Sequence, residues 1–459
     1  MALIKSISGF RGTIGGRPND NLTPIDIVKF ASAYGCWLLQ QAKGPVKVVV
    51  GRDGRISGEM VESLVETSLL ALGIDVIHLG LSTTPTVEMA VVFENAQGGI
   101  ILTASHNPKQ WNALKLLNHK GEFVSGEEGK AILDLAANED FTYADIDHMG
   151  KIISNDTSLQ KHIDAILHHP LVDAKAIESA NFSVVLDAIN SSGAFTVPAL
   201  LNAIGVKQIT ILNGEMTGDF AHNPEPLKEH LTDLCTTVKN KKAHLGIAVD
   251  PDVDRLCFVS EDGELFGEEY TLVAVADYIL QHEKGATVSN LSSTRALRDV
   301  TEKHGCSYFA SAVGEVNVVN RMKAEKAVIG GEGNGGIIVP NLHYGRDALI
   351  GIALFLSHLA HTKLSASALR ASYPAYFMSK KKMDLSPSLS LYSIFEKLEN
   401  EFSKYPINKV DGMKIDFEKE WVHLRSSNTE PIIRIYTEAP TQEAADHLAD
   451  RIISIIGTI

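Results

Sequence analysis

From Lys47 the chain runs KVVVG, a continuous β-branched stretch, then the turn GRDGRISG, then apolar residues at helical spacing in EMVESLVETSLLALG, ending at a capping glycine. DVIHLG follows at once as a second short strand. Strand, helix and strand at this spacing predict a parallel sheet with helices on its faces. The pattern returns over residues 183–213, SVVLDAINSSGAFTVPALLNAIGVKQITILN, and again from Thr287 to the strand KAVIGG that starts at Lys326. Recurring α/β units of this kind predict similar domains in series. Polar, helix-poor stretches at 152–158, 260–264 and 363–372 are the candidate boundaries. The C-terminal section is different: SKKKMDLS, DGMKIDFEKEWVHLRSS and PIIRIYTEA read as strands, and TQEAADHLADRIISIIGTI as a closing amphipathic helix, together a small α+β domain. The most apolar window, residues 349–359, reads as a buried helix, well short of the roughly 18 residues needed to span a bilayer.

Composition narrows the class. At about 150 residues per domain, 459 residues suggest roughly three domains, with two or four also compatible. Hydrophobic residues at 44% and charged residues at 21% are ordinary for a globular chain and leave no room for long disorder. The formal net charge of −14, with no dense Lys/Arg run, argues against nucleic acid or an anionic membrane as partner. An anionic ligand would be repelled at long range, so any such site must gather arginines locally. Cys36, Cys235, Cys257 and Cys306 form no CxxC pair and read as reduced, buried thiols. The opening MALIKSISGFRG lacks a secretory apolar core, and a cytoplasmic location is expected.

Four loops carry candidate chemistry. In ILTASHNPKQWNALK, residues 101–115, a strand delivers Ser105 to its end; a helix cap or turn is the competing reading, and a serine hydrolase is disfavoured because GxSxG is absent. In HLGIAVDPDVDRLCFV, Asp250, Asp252 and Asp254 recur at every second position after a strand, and carboxylates so placed repel one another unless a hard cation such as magnesium sits among them. An EF-hand opens with the same spacing, but Arg255 stands where that loop needs glycine. The alternative is a solvated acidic turn. GGEGNGG, residues 330–336, formally contains GxGxxG, yet IIVPN follows instead of a helix, so a dinucleotide site is disfavoured; Glu332 and Asn334 remain as hydrogen-bonding groups suited to sugar hydroxyls, or the segment is a plain glycine turn. In LRSSNTEPIIR, Arg425 and Arg434 flank Ser426, Ser427, Asn428 and Thr429, a set that suits a phosphate or, equally, a capped surface turn.

Taken together and in this order, the loops resemble the α-D-phosphohexomutases over essentially the whole chain. In that family TASHNP carries the phosphoserine, DxDxDR binds magnesium, a GE-containing loop contacts sugar hydroxyls, and RxSxTEP grips the substrate phosphate. Ser105, then Asp250, Asp252, Asp254 and Arg255, then Glu332, then Arg425 to Thr429 match residue by residue. The resemblance implies three similar mixed-sheet α/β domains plus a smaller C-terminal α+β domain around a central cleft, with boundaries near 1–152, 153–256, 257–366 and 367–459. That is one domain more than length alone suggests.

The resemblance also implies a mechanism. Phosphorylated Ser105 gives its phosphoryl group to a sugar hydroxyl, the resulting bisphosphate turns around, and Ser105 takes the other phosphate back. One magnesium ion per chain would be held by Asp250, Asp252, Asp254 and Ser105, with a sugar bisphosphate as activator. Lys115 and His106 are the candidate proton carriers, Lys115 being favoured and His106 reading as a loop-ordering residue. Arg11, Arg52 and Arg55 match arginines that line the family's cleft. Many members read GEMSGH or GEQSGH in the sugar loop; Asn334 and Gly336 stand here in place of the serine and histidine, so the acid/base role proposed for that histidine does not carry over. Ala113 likewise replaces a common glycine. The pattern is most like the phosphoglucosamine mutases, with phosphomannomutase or phosphoglucomutase as rivals and a sugar phosphatase or a silent sugar-phosphate sensor as remoter alternatives. A sugar phosphate is the expected partner, and a homodimer is compatible with the sequence.

Overall fold

The computed structural model describes residues 3–6, 9–385, 390–426 and 432–458. They fall into two compact units, Met1–Thr271 with Gly335–Ser367, and Leu272–Asn334 with Ala368–Ile459.

The first unit opens with a seven-stranded sheet in the order Ile4–Ser6, Gly9–Thr13, Trp111–Leu117, Gly98–Leu102, Lys47–Arg52, Asp75–Leu81, Ile152–Ser154. The strands from Gly98–Leu102 to Ile152–Ser154 run parallel, as the strand, helix, strand pattern predicts. The centre of Lys47–Arg52 is a β-branched run because it is covered on both faces, with Val48, Val49 and Val50 fully buried. Trp111–Leu117 turns back antiparallel beside Gly98–Leu102, so the segment carrying Ser105 is the connection between the two. The stretch at 152–158 holds the short strand Ile152–Ser154, which completes this sheet beside Asp75–Leu81.

A second sheet repeats the plan in four strands, Leu256–Ser260, Leu245–Val249, Ser183–Asp187, Gln208–Leu212. Three are parallel, and Leu256–Ser260 returns antiparallel on Leu245–Val249. The aspartate loop is the turn of that hairpin, which places the expected 256/257 boundary at the start of its second strand. The stretch at 260–264 closes as a tight turn, Ser260 N–H donating to Glu264 O at 2.8 Å. Helix Ala348–Thr362 packs over this region and is buried at every position from Ala348 to Leu359, which accounts for its unbroken apolar sequence. Phe355 stacks on Phe258 at 3.9 Å between centroids and meets Phe266 edge-on at 5.0 Å. Each such aromatic pair adds about 0.5–1.5 kcal/mol to the burial of its rings.

In the second unit Tyr308–Ser311, Thr287–Asn290 and Ile329–Glu332 lie parallel in that order. The C-terminal section forms a five-stranded antiparallel sheet, Phe377–Asp384, Ile432–Ala439, Trp421–Ser426, Met413–Asp416, Ile407–Asn408. Helices Leu391–Glu401 and Gln442–Ile456 cover one face, burying Ile394, Leu398, Leu448 and Ile452 against Leu424, Ile433 and Ile435. That is the small α+β domain read from the sequence.

Among the described residues all four cysteines are free, and no helix is long and apolar enough to cross a membrane.

Candidate active site

Ser105 sits in a loop that is framed before any ligand arrives. Its φ of 50° is in the left-handed region, unusual for a residue with a Cβ and worth about 1–3 kcal/mol of local strain. The strain is held by hydrogen bonds: Ser105 N–H donates to Thr103 Oγ1 at 2.9 Å, and Thr103 Oγ1 donates to Asp53 Oδ2 at 2.6 Å. Arg55 completes the frame. Its Nε lies 3.0 Å from Asp53 Oδ2, and its two terminal nitrogens donate to the carbonyls of Asn107 at 2.8 Å, Pro108 at 2.9 Å, Trp111 at 3.0 Å and Ser105. Expected as a cleft-lining arginine, Arg55 is 1% exposed with its donors spent on loop carbonyls. Arg52, expected beside it, pairs with Glu62 at 2.8 Å and Glu59 at 3.4 Å. Arg11 does reach the loop, donating to Asn107 Oδ1 at 2.9 Å.

The aspartate loop meets the serine directly: Ser105 Oγ donates to Asp250 Oδ2 at 2.7 Å. Asp250, Asp252 and Asp254 are all fully buried, with ligand oxygens within 4.8 Å of one another. The backbone of the turn is pinned by Asp250 Oδ1, which accepts from the amides of Asp254 at 3.2 Å and Arg255 at 3.1 Å. Ser191 links the aspartate loop to the turn that carries Arg55, accepting from Gly54 N–H at 2.9 Å and donating to Pro251 O at 2.7 Å.

Three cations face the three carboxylates. Lys115 Nζ is 2.7 Å from Asp252 Oδ2 and 3.5 Å from Asp254 Oδ2, Arg346 donates to Asp254 Oδ2 at 2.7 Å, and Arg255 Nε lies 3.9 Å from Asp250 Oδ2. Thr84 adds a neutral donor, Oγ1 to Asp252 Oδ2 at 2.6 Å and N–H to Asp252 O at 2.8 Å. Even so, Asp252 Oδ1 and Asp254 Oδ1 are buried with no hydrogen-bond partner. Orphaned carboxylate oxygens in one buried cluster are the donor set a hard divalent cation takes, so the residues fit such an ion.

The electrostatics follow from this crowding. Burial, then the charges of Asp252 and Asp254, push the Asp250 carboxyl well above its ordinary range. Burial would raise Asp252 too, but Lys115 and the hydroxyl of Thr84 hold it below the usual carboxylate range. Burial tends to lower Lys115, yet Asp252 and Asp254 raise it above an ordinary lysine, so as arranged it holds its proton. His106 is driven down to about 2 by burial and by Arg255, Arg11 and Arg346, and remains a neutral ring.

In the second unit, Glu332 is 5% exposed, its Oε1 accepting from Asn290 Nδ2 at 2.9 Å and Gly314 N–H at 3.1 Å; Asn334 is half-buried two residues on. Arg425 Nε lies 2.8 Å from Asp411 Oδ2, and Ser426 is exposed at the end of its strand. Arg425 faces Arg434 on the next strand, and Arg434 faces Lys382 on the strand beyond. Like charges directly opposite one another in a sheet repel, so this row of three cations is suited to an anion. Ser427, Asn428 and Thr429 lie outside the described residues.

Four groups escaped the sequence reading: Thr84, Arg346, Asp53 and Lys382. Thr84 follows the capping Thr83, and Arg346 precedes the capping Asp347 of an apolar helix. Each lies next to a legible helix start, but the carboxylate it would meet was not legible.

Most of the chain matches models of one family in four consecutive parts: phosphoglucomutase/phosphomannomutase alpha/beta/alpha domain I at residues 4–143, domain II at 160–263, domain III at 267–376 and the C-terminal domain at 391–455. The number is four, not the three that length suggests. A phosphoglucomutase/phosphomannomutase of Thermococcus kodakarensis is 35% identical over 95% of both chains. A phosphoglucosamine/phosphogalactosamine mutase of Sulfurisphaera tokodaii is 31% identical over 99% of both. A phosphoglucomutase/phosphomannomutase family protein from Burkholderia thailandensis shares the fold, with a TM-score of 0.83 at 23% identity over 99% of this chain and 98% of that one. With this architecture and these matches, the chain belongs to the α-D-phosphohexomutase family. It is an enzyme, an isomerase of the phosphoglucomutase type.

Proposed function

We propose that the enzyme is a phosphoglucosamine mutase, interconverting glucosamine 6-phosphate and glucosamine 1-phosphate through phosphorylated Ser105 and a bisphosphate. The observation that carries the chemistry is Ser105 Oγ at 2.7 Å from Asp250 Oδ2, within a fully buried trio of aspartates. The amino sugar is supported by the sugar-loop sequence around Glu332 and Asn334 and by relatives named for amino sugars.

In the forward half-reaction the bond from phosphorus to the Ser105 oxygen breaks, a bond from phosphorus to a sugar hydroxyl oxygen forms, and the hydroxyl proton leaves to a protein group. The second half reverses this at the other end of the sugar. Asp250, Asp252 and Asp254, together with the Ser105 phosphoryl group, would hold a magnesium ion, which would supply charge neutralisation at the transferring group. Lys115 is the proton carrier: the carboxylates that raise its pKa keep it protonated, so their charge must be neutralised before it releases that proton and can serve as a base, which ties its basicity to the state of the aspartate loop. His106, neutral and half-buried, orders the loop. Arg11 offers a guanidinium beside the phosphoserine loop. Glu332 and Asn334 bind sugar hydroxyls, and Arg425, Ser426 and Arg434 with Ser427, Asn428 and Thr429 grip the distal phosphate.

A coupled assay with glucosamine 6-phosphate, glucose 6-phosphate and mannose 6-phosphate, each with magnesium and a trace of the matching bisphosphate, tests the choice. The amino sugar is expected to give the highest kcat/KM. The 35% identity to a phosphoglucomutase/phosphomannomutase favours the second reading, and a glucosamine 6-phosphate that ranks last establishes that reading instead.

A further inference from the structure

The aspartate loop is gripped from two helix starts, and a buried polar chain that touches no reacting group joins those starts. Thr83 caps helix Thr84–Phe93, with its Oγ1 accepting from Thr86 N–H at 3.1 Å and donating to Thr86 Oγ1 at 2.7 Å. Thr86 Oγ1 lies 3.0 Å from His162 Nδ1, on helix Ser158–His168. His162 Nε2 lies 2.9 Å from Asp347 Oδ2, and His343 Nε2 lies 3.3 Å from the same oxygen. Asp347 Oδ1 then caps helix Ala348–Thr362, accepting from Leu349 N–H at 2.8 Å and Ile350 N–H at 3.4 Å.

One set of proton directions pairs Thr83, Thr86, His162 and Asp347 throughout. Thr86 Oγ1 already accepts a proton from Thr83, so its own proton is available to His162 Nδ1, and His162 carries its ring proton on Nε2, toward Asp347. His162, His343 and Asp347 also lie close enough to hold a metal ion, within 4.8 Å. With the His162 Nε2 proton directed at Asp347, that pair works as a hydrogen-bonded relay, while His343 Nδ1 is buried without a hydrogen-bond partner, 3.4 Å from Glu88 Oε2.

What the relay joins gives it a role. One residue from Thr83 stands Thr84, which holds Asp252 at 2.6 Å; one residue from Asp347 stands Arg346, which holds Asp254 at 2.7 Å; and Ala348 N–H donates to Val253 O at 3.2 Å. Thr83, Thr86, His162 and Asp347 are each at most 2% exposed. Buried polar groups are costly unless fully paired, and apolar packing alone would hold these helices together. Directional hydrogen bonds add a defined azimuth and height for each helix start, and so a defined spacing between the two grips.

We infer that His162 is a positioning residue for the aspartate loop, setting through Thr86 and Asp347 the separation of Thr84 from Arg346 and hence the mutual placement of Asp252 and Asp254. This rests on the reading of that loop as the metal seat.

The test compares wild type, His162→Leu and His162→Gln as full-length chains. It reads Mn²⁺ binding by the free-ion paramagnetic resonance signal, the magnesium activation constant, and the sugar-phosphate KM. His162→Leu is expected to weaken metal binding and activation about tenfold, the scale of changes in outer-sphere partners of metal ligands, with the sugar-phosphate KM nearly unchanged. His162→Gln, whose amide donates from nearly the same place as Nε2, is expected to recover most of the affinity. A purely structural loss lowers the folded fraction but leaves the metal affinity of folded molecules unaltered. A folded His162→Leu with the wild-type metal constant overturns the inference, as does a second tightly held metal per chain that disappears in that variant. If His162→Leu does not fold, Thr86→Val removes the hydroxyl at the same volume and is read in the same way. Asp252→Asn is the control on the underlying reading: if it binds Mn²⁺ as wild type does, the metal seat itself is misassigned and both proposals fall together.

Discussion

At the scale of single residues, the site is a contest between burial and charge. Ser105 is held in a left-handed conformation by Arg55 and Thr103 with its hydroxyl on Asp250. Ser105→Ala and Ser105→Gly both remove the nucleophile, and turnover is expected to fall by several orders of magnitude in either; retention of most activity would refute the assignment. The two variants differ only in the Cβ that the φ of 50° penalises, so the glycine variant is expected to be more stable by about 1 kcal/mol in denaturant unfolding. Phosphorylation of Ser105 is checked by intact mass, a gain of about 80 Da on part of the wild-type population and on neither variant. The sequence marked Ser105 and the aspartates because their chemistry is written in neighbouring letters. It gave no hint that Arg55 is spent on carbonyls, because its partners at Asn107 and Pro108 lie more than 50 residues away.

At the scale of elements, each chemical loop of the first unit is the link between a parallel strand and an antiparallel neighbour, where the chain must turn sharply at a strand end. The same economy of space governs Gly335, whose φ is +83° and where a Cβ would stand 2.1 Å from Leu256 O. Gly335→Ala is therefore expected to destabilise the protein by on the order of 3 kcal/mol in urea unfolding, combining backbone strain with a clash against main chain. In the C-terminal sheet Lys414 is buried, donating to Leu291 O at 2.8 Å with its ammonium 4.1 Å from the Trp421 ring, and burial lowers its pKa from 10.5 to about 8. Between these values the unfolded chain binds a proton that the folded chain does not, so stability rises with pH through that window. The gain across it is roughly 3 kcal/mol. Lys414→Met is expected to lack this rise, so its unfolding free energy relative to wild type should fall as pH goes from 8 to 10.5; a constant difference would show that Lys414 titrates normally. The strands and helices here were legible from their periodicity, whereas the burial of a lysine on a strand with polar neighbours was not.

At the scale of the whole molecule, a chain of net charge −14 collects Lys115, Arg255 and Arg346 around three buried aspartates and still leaves two carboxylate oxygens unpartnered. Chelation is expected to abolish turnover and added magnesium to restore it. Magnesium at a hundredfold excess over its Kd should also stabilise the folded chain by about 2.7 kcal/mol, seen as a rise in Tm that Asp252→Asn eliminates. By itself the sequence determined the recurring α/β units, the distinct C-terminal domain, the buried helix at 349–359 and the order of the four chemical loops, because periodicity and local chemistry are set by residues a few positions apart. Only the tertiary structure decided which cation meets which carboxylate, that Asp250 rises while Asp252 falls, and that Thr84 and Arg346 hold the loop. Those outcomes depend on distance and burial between groups such as Ser105 and Asp250, 145 residues apart, or Asp254 and Arg346, 92 apart, and neither quantity exists until the chain has folded.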